Sequence, residues 1–321
     1  AGDLIAAPGV DEVPLVVRRL GNIDGAYDSL PRFWDQVGVL YRTGETAELA
    51  ADPYLALGAV PPLSAAFRDL SPTRDRLPAL DPAACTGCGA CWSRCPDAAI
   101  GSAALAPGPL LEAAIAGAGA DALRPMTSKL AARMSARCRE EGAVANAGGL
   151  LTEAFGWLQA KASLPAERLQ AMQAGLDKLV DRVGCLPAAI TEPFFSLPEG
   201  ADKGSGELLF LAFNPDTCKG CGICVSSCAP GALSLADQTP RTLEQAHRLW
   251  RAWERLPDTR ADTLARVATR PEVGALAVVT RALAAVLAAL AAITRVAVLV
   301  TAPVPSVARL MCPPPKAARL A

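Results

Sequence analysis

Apolar positions along this chain fall into a few helical stripes and one unbroken strand-length run. Behind Pro165, which suits a first helical turn, Leu169, Met172, Leu176, Leu179 and Val183 recur at three- and four-residue steps, so a helix is predicted from about Ser163. Leu130–Arg139 and Leu150–Lys161 read as two further amphipathic helices. Thr242-Leu-Glu-Gln245 has the pattern of a capping box and predicts another helix start. Leu243, Ala246, Leu249, Trp250, Trp253 and Leu256 form the apolar face of that helix, and Pro257 ends it. Both tryptophans are expected to pack in a core, while His247 lies off the stripe and is expected at the surface. Leu208–Phe213 reads as a strand.

The two ends are less regular. Val13–Leu20 is a second candidate strand, followed by a Gly- and Asp-rich turn at Gly21–Gly25. Arg32–Tyr41 mixes aromatic and charged residues, which suggests contact with another domain; an ordinary loop and helix is the equal alternative. Ala275–Ala302 is dominated by Ala, Val and Leu. Its uncharged stretch, Ala282–Thr294, is bounded by Arg281 and Arg295 and is short for a membrane span, so a buried helix is expected. The Pro-rich end around Cys312 has the composition of a disordered tail.

Composition shifts this picture toward helix. Hydrophobic residues make up 51% of the 321 residues but aromatics only 5%, and alanine supplies much of the apolar count. Such a length predicts two or three structural units. With 31 basic and 32 acidic side chains, the net charge of −1 gives no reason to expect a nucleic-acid or anionic-membrane partner. The chain starts with Ala and its first residues include Asp3, Asp11 and Glu12. A fragment or processed product is expected, without a secretory signal and in the cytoplasm.

The cysteines carry the chemistry. Of 11, eight fall in two runs, Cys85-Thr-Gly-Cys88-Gly-Ala-Cys91-Trp-Ser-Arg-Cys95-Pro96 and Cys218-Lys-Gly-Cys221-Gly-Ile-Cys224-Val-Ser-Ser-Cys228-Ala-Pro230. Both have the C-x2-C-x2-C-x3-C spacing of bacterial ferredoxins, in which three cysteines hold one [4Fe–4S] cluster and the fourth holds the other. On that pattern Cys85, Cys88, Cys91 and Cys228 hold one cluster, while Cys218, Cys221, Cys224 and Cys95 hold the second. Gly87, Gly89, Gly220 and Gly222 suit loops that bring backbone N–H groups toward sulfur. A pair of zinc knuckles is the alternative, but those sites combine Cys pairs or add histidines, and His247 is the sole histidine. Cys138 and Cys185 are expected to be small apolar residues rather than ligands.

The flanks repeat with the motifs, giving strand, cluster loop, short helix and strand twice over. One departure is that Ala229 separates Cys228 from its proline, which is expected to shift the short segment after that cysteine. Residues 96–217 separate the two motifs, far more than a dicluster ferredoxin needs. The predicted class is therefore α+β: a dicluster ferredoxin-like domain interrupted by a large helical insertion, with mainly helical flanks. The expected division is 1–78 as an N-terminal linking region, 79–105 and 206–240 as the two ferredoxin-type halves, and 106–205 as the insertion. Residues 241–270 form a helical flank and 271–321 an Ala/Val/Leu-rich tail.

The segments DPAACTGCGACWSRCPDAAI and FNPDTCKGCGICVSSCAPGAL, and more loosely LPRFWDQVGVLY and LWRAWERLPDT, resemble the iron–sulfur portion of 2-oxoacid:acceptor oxidoreductases, the pyruvate:ferredoxin oxidoreductase family. The resemblance spans roughly residues 10–270, and its specific part is the cysteine motifs. It implies electron flow from a thiamine pyrophosphate site on other domains or subunits to ferredoxin or flavodoxin, with the eight cysteines as ligands. It supplies no catalytic residue. The chain has no Gly-Asp-Gly thiamine motif, and Gly117-Ala-Gly119 reads as a turn rather than a nucleotide loop. A partial member whose C-terminal stretch departs from the family is expected. The competing functions are a dicluster carrier or adaptor for another redox enzyme, such as a hydrogenase or formate dehydrogenase, and a non-redox metal scaffold.

Overall fold

The run Leu208–Phe213 is apolar at every position because both of its faces are covered. In the computed structural model, which describes residues 29–267 apart from 59, 62–63, 68, 141–145 and 162–163, it forms a central strand. In chain order the strands are β1 (Arg76–Leu80), β2 (Ile100–Leu105), β3 (Ala188–Ala189), β4 (Leu208–Phe213) and β5 (Leu233–Asp237). The helices used below are α1 (Ala90–Ser93), α2 (Pro107–Ala118), α3 (Thr127–Cys138), α4 (Ala147–Lys161), α5 (Ala166–Val183), α6 (Ile223–Ser226), α7 (Pro240–Glu254) and α8 (Ala261–Val267).

Two antiparallel sheets result. β4 lies between β2 and β3, with Ile100 opposite Phe213 and Leu105 opposite Leu208. β1 pairs with β5, from Arg76 opposite Asp237 to Leu80 opposite Leu233. Pro78 is tolerated because a two-stranded ribbon leaves each strand one free edge. Each half of the repeat thus gives one strand to each sheet.

Side chains alternate across β4, and this alternation splits the core. Leu208, Phe210 and Ala212 face a helical layer that includes Leu111, Leu130, Met134, Leu150, Phe155, Met172 and Leu179. Leu209, Leu211 and Phe213 face the other way, into a cluster containing Cys91, Trp92, Ile100, Phe194 and Cys224. The helices between the two motifs therefore share one core with β4. That stretch also adds β3, a strand the periodicity did not reveal. On β2, the absence of a side chain at Gly101 lets Trp253 of α7 lie against the sheet; a Cβ there would come within 2.6 Å of the indole. Trp253 is buried and stacks on Trp250 at 4.7 Å between ring centroids, as packing residues should.

Three boundaries differ from the sequence expectation. Helix α7 begins earlier than the Thr242 box: Pro240 takes the first turn, Thr239 is the cap, and the Thr242 hydroxyl closes the box from the third position. The extended backbone of Thr239 and the preset φ of Pro240 favour that start. Gly117 lies inside α2 rather than in a turn, and the left-handed Gly119 (φ 60°) ends the helix. The segment after Cys228 is not shifted. Cys95 and Cys228 each stand five residues before the next strand, and Ala98 (φ 48°) and Gly231 (φ 71°) occupy the same left-handed position three residues on. The proline has moved by one place within an unchanged spacing.

The Arg32–Tyr41 stretch is helical, with a π-helical turn at Trp34–Gly38. Its aromatics are taken up nearby, Trp34 stacking on Phe67 at 5.1 Å and Phe33 meeting Tyr54 edge-on at 5.4 Å. Arg32 joins Asp52 in a buried ion pair of 2.7 Å. The expectations for Val13–Leu20, Gly21–Gly25, Ala275–Ala302 and the Cys312 region fall outside the described residues. Among the described residues, no helix is long and apolar enough to cross a membrane.

Candidate metal centre

Each motif is approached through an Asx turn, in which a short polar side chain bonds to backbone just ahead of it. Asp81 Oδ1 accepts from the N–H of Ala83 at 3.0 Å, and Asn214 Oδ1 accepts from the N–H groups of Asp216 and Thr217 at 2.9 and 3.3 Å. The same two residues tie the halves together. The N–H of Asp81 donates to Ala232 O at 2.8 Å, and the N–H of Asn214 donates to Ala99 O at 2.7 Å. The start of each motif is thus anchored to the far end of the other, which carries each fourth cysteine toward its partner's loop.

Within the loops the chain turns through left-handed glycines, Gly87 and Gly220 at φ 70° and 71°, then Gly89 and Gly222 at 84° and 75°. Space is as restrictive as φ at the first pair. A Cβ on Gly87 would stand 2.9 Å from Thr191 Oγ1, and one on Gly220 would stand 3.0 Å from the Arg76 carbonyl. The one-turn helices α1 and α6 follow and bury the third cysteine of each run, Cys91 and Cys224. The second cysteines, Cys88 and Cys221, are exposed, and the first and fourth are half-buried.

These elements enclose two cavities of nearly equal size. One is lined by Cys85, Cys88, Cys91 and Cys228, with apolar walls from Leu80, Trp92, Leu211 and Leu233. The other is lined by Cys95, Cys218, Cys221 and Cys224, with Pro78, Ile100, Phe213 and Ile223. The eight predicted cysteines are brought together in two sets of four, each combining three thiols of one motif with the fourth of the other. The thiols stand around these spaces rather than meeting at one point. Among the described residues, no three Cys, His, Asp or Glu side chains are placed to hold a single metal ion. An all-thiol donor set around a small, mostly apolar volume fits a [4Fe–4S] cluster.

Burial pushes the thiols of Cys85, Cys91, Cys95 and Cys218 above their ordinary range and raises Cys224 to about 11. Backbone N–H groups oppose it: Gly87 at Cys85, Trp92 at Cys91, Ala99 and Asp97 at Cys95, Gly220 at Cys218 and Val225 at Cys224. The N–H of Ala99 reaches Cys95 Sγ at 3.3 Å. Metal-free, these sites favour neutral thiols; iron would deprotonate them, and the same N–H groups would then stabilise the thiolates.

Several supporting residues carried no signal in the sequence. Arg74 is buried and donates from Nη1 to Cys218 O and from Nη2 to Pro215 O, clamping the second loop. Thr191 is buried against Gly87 of the first loop. His247 is half-buried rather than a plain surface residue. Its Nε2 lies 2.8 Å from Asp216 Oδ1 and its Nδ1 lies 3.0 Å from Leu243 O, which ties α7 to the second motif. Cys138 and Cys185 lie apart from both cavities, in or against the helical core, and burial raises Cys138 to about 12.

Two family models agree with this geometry. Each is described as a 4Fe-4S binding domain; one matches residues 78–101 and the other residues 210–233, so that each covers one complete motif. No curated protein and no solved structure matches the chain. This is an iron–sulfur, ferredoxin-like chain with two 4Fe-4S binding domains, and so a carrier of two [4Fe–4S] clusters that transfer electrons.

Proposed function

We propose that this chain is the electron-relay segment of a 2-oxoacid:acceptor oxidoreductase, taking electrons from a thiamine pyrophosphate site on partner domains or subunits and delivering them to ferredoxin or flavodoxin. The observation that carries the relay is the pair of matched, four-cysteine cavities. The resemblance of the motifs and their flanks to the iron–sulfur portion of that family supports the choice of enzyme. Cys85, Cys88, Cys91 and Cys228 would hold one cluster, and Cys95, Cys218, Cys221 and Cys224 the other. When bound, such a cluster supplies a site that gains or loses one electron and has no position open to substrate.

The chain's own residues do the rest. Gly87, Gly89, Gly220 and Gly222 let the loops turn closely around the cavities. Trp92, Leu211, Phe213 and Leu233 keep water out of them, which strengthens the backbone N–H groups aimed at sulfur. Cys88 and Cys221 stand at the exposed side of each site, where electrons would enter and leave. Affinity purification from the native host tests the assignment. A partner containing thiamine pyrophosphate, together with 2-oxoacid-dependent bleaching of the iron–sulfur absorption, is expected. Recovery with a thiamine-free redox enzyme, and no response to 2-oxoacids, would refute it in favour of an adaptor role.

A further inference from the structure

Three helices end around one cleft that the iron–sulfur sites do not use. Gly117 and Ala118 close α2, Lys178, Asp181 and Arg182 belong to the last turns of α5, and Arg248 and Arg251 come from the final turns of α7, which Arg255 caps. The cleft measures about 380 Å³, toward the lower end of the usual range for a small-molecule site of about 300–1,000 Å³. Five cations and one carboxylate line it, in a chain whose overall charge is −1.

That carboxylate is already engaged. Arg248 Nη2 donates to Asp181 Oδ1 at 2.9 Å and to Asp181 O at 3.2 Å. Among the described residues, Lys178, Arg182, Arg251 and Arg255 have no acidic partner. Helix C-termini attract cations, but each offers only about half a negative charge, so three together offset about 1.5 of the four surplus charges. More than two positive charges remain uncompensated. The cleft is also shaped around one of its cations. Arg182 lies against Gly117, where a Cβ would come within 2.6 Å of the guanidinium. Glycine in a helix interior is disfavoured relative to alanine, and at this position it leaves room for the guanidinium.

We infer that this cleft binds an oligophosphate, either free or as part of a nucleotide. Three uncommitted guanidinium groups and one ammonium suit successive phosphates, because arginine grips phosphate oxygens in pairs while lysine acts as a point charge. The concave arrangement favours a small phosphorylated molecule over the acidic face of a protein. This site stands independently of the enzyme class assigned above.

Isothermal titration of the full chain with its clusters loaded tests it, with inorganic triphosphate, pyrophosphate, orthophosphate and ATP as probes at about 50 and about 200 mM salt. Affinity should rise with phosphate number and fall with salt. ATP tighter than triphosphate identifies a nucleotide site, and equal affinity identifies a site for the phosphates alone. The double variant Arg251→Gln/Arg255→Gln removes two exposed cations and should weaken triphosphate binding at least about tenfold. Lys129→Gln, an exposed cation on α3, should change nothing. Iron–sulfur absorption monitors the fold of each variant. No triphosphate binding, binding undiminished in the double variant, or binding only of an acidic polypeptide such as polyglutamate would overturn the inference.

Discussion

Crossed ligation can be decided by removing cysteines in pairs. Cys95 and Cys221 line one cavity, although they come from different motifs; Cys88 and Cys95 come from one motif but line different cavities. The loaded chain should contain about eight irons and eight acid-labile sulfides. In Cys95→Ala/Cys221→Ala, one cavity keeps all four thiols and the other keeps two. Iron should fall to about four, and the dithionite-reduced protein should show the EPR signal of one intact cluster without magnetic interaction. In Cys88→Ala/Cys95→Ala, each cavity keeps three thiols. Both sites should then be impaired, with no unperturbed cluster signal. Both variants lose the same number of thiols, so the contrast tests geometry rather than donor count. If Cys88→Ala/Cys95→Ala retains one intact cluster and Cys95→Ala/Cys221→Ala damages both, each motif holds its own cluster and the reasoning fails.

Three further outcomes follow from the supporting structure. Arg74→Ala removes two charge-assisted hydrogen bonds to the second loop, each worth about 1.5–3 kcal/mol; iron release to a chelator should accelerate from the Cys218 site and not from the Cys85 site, and equal release from both would contradict the clamp. Ala98→Gly should raise stability by up to about 1 kcal/mol, because a left-handed alanine costs about 1–2 kcal/mol, while Gly231→Ala should lower it by a similar amount, both read from thermal or denaturant unfolding. Burial raises the carboxyl of Glu207, although hydrogen bonds from Thr263 and Arg266 pull it down. Its folded form therefore keeps a proton that the unfolded chain has released. Its contribution is most favourable below the ordinary carboxylate value of 4.5 and is lost as pH rises through the raised value. The stability difference between wild type and Glu207→Gln should shift against wild type as pH rises across that window; a difference that is flat, or that moves in wild type's favour, would contradict it.

Much of the local structure was written in short-range patterns. The stripe from Leu169 to Val183 is the buried face of α5, and the apolar run at Leu208–Phe213 is β4, because periodicity reports how many faces of an element are covered. The start of α7 lies three residues before the Thr242 box, since Thr239 and Thr242 both offer a capping hydroxyl and only backbone conformation chooses between them. The two-residue strand β3 is too short to carry a period. The spacing from Cys95 and Cys228 to the next strands is equal, so the displaced proline leaves the backbone path unchanged.

By itself, the sequence determined the metal chemistry. Eight cysteines at that spacing, with glycines between them, specify all-thiol sites in close loops, because ligand type and loop length are local properties. The motif pattern also implies which four thiols share a space, and tertiary structure supplies the means by which they meet. Their meeting depends on the pairing of β1 with β5 and β2 with β4, and on the hydrogen bonds from Asp81 to Ala232 and from Asn214 to Ala99. Tertiary structure also placed Arg74 on the Cys218 loop, 144 residues away along the chain, and gathered unpaired cations from α5 and α7 into one cleft. Charges and donors carry no address in sequence; their effect depends on distance, and distance between remote segments is set by the packed core.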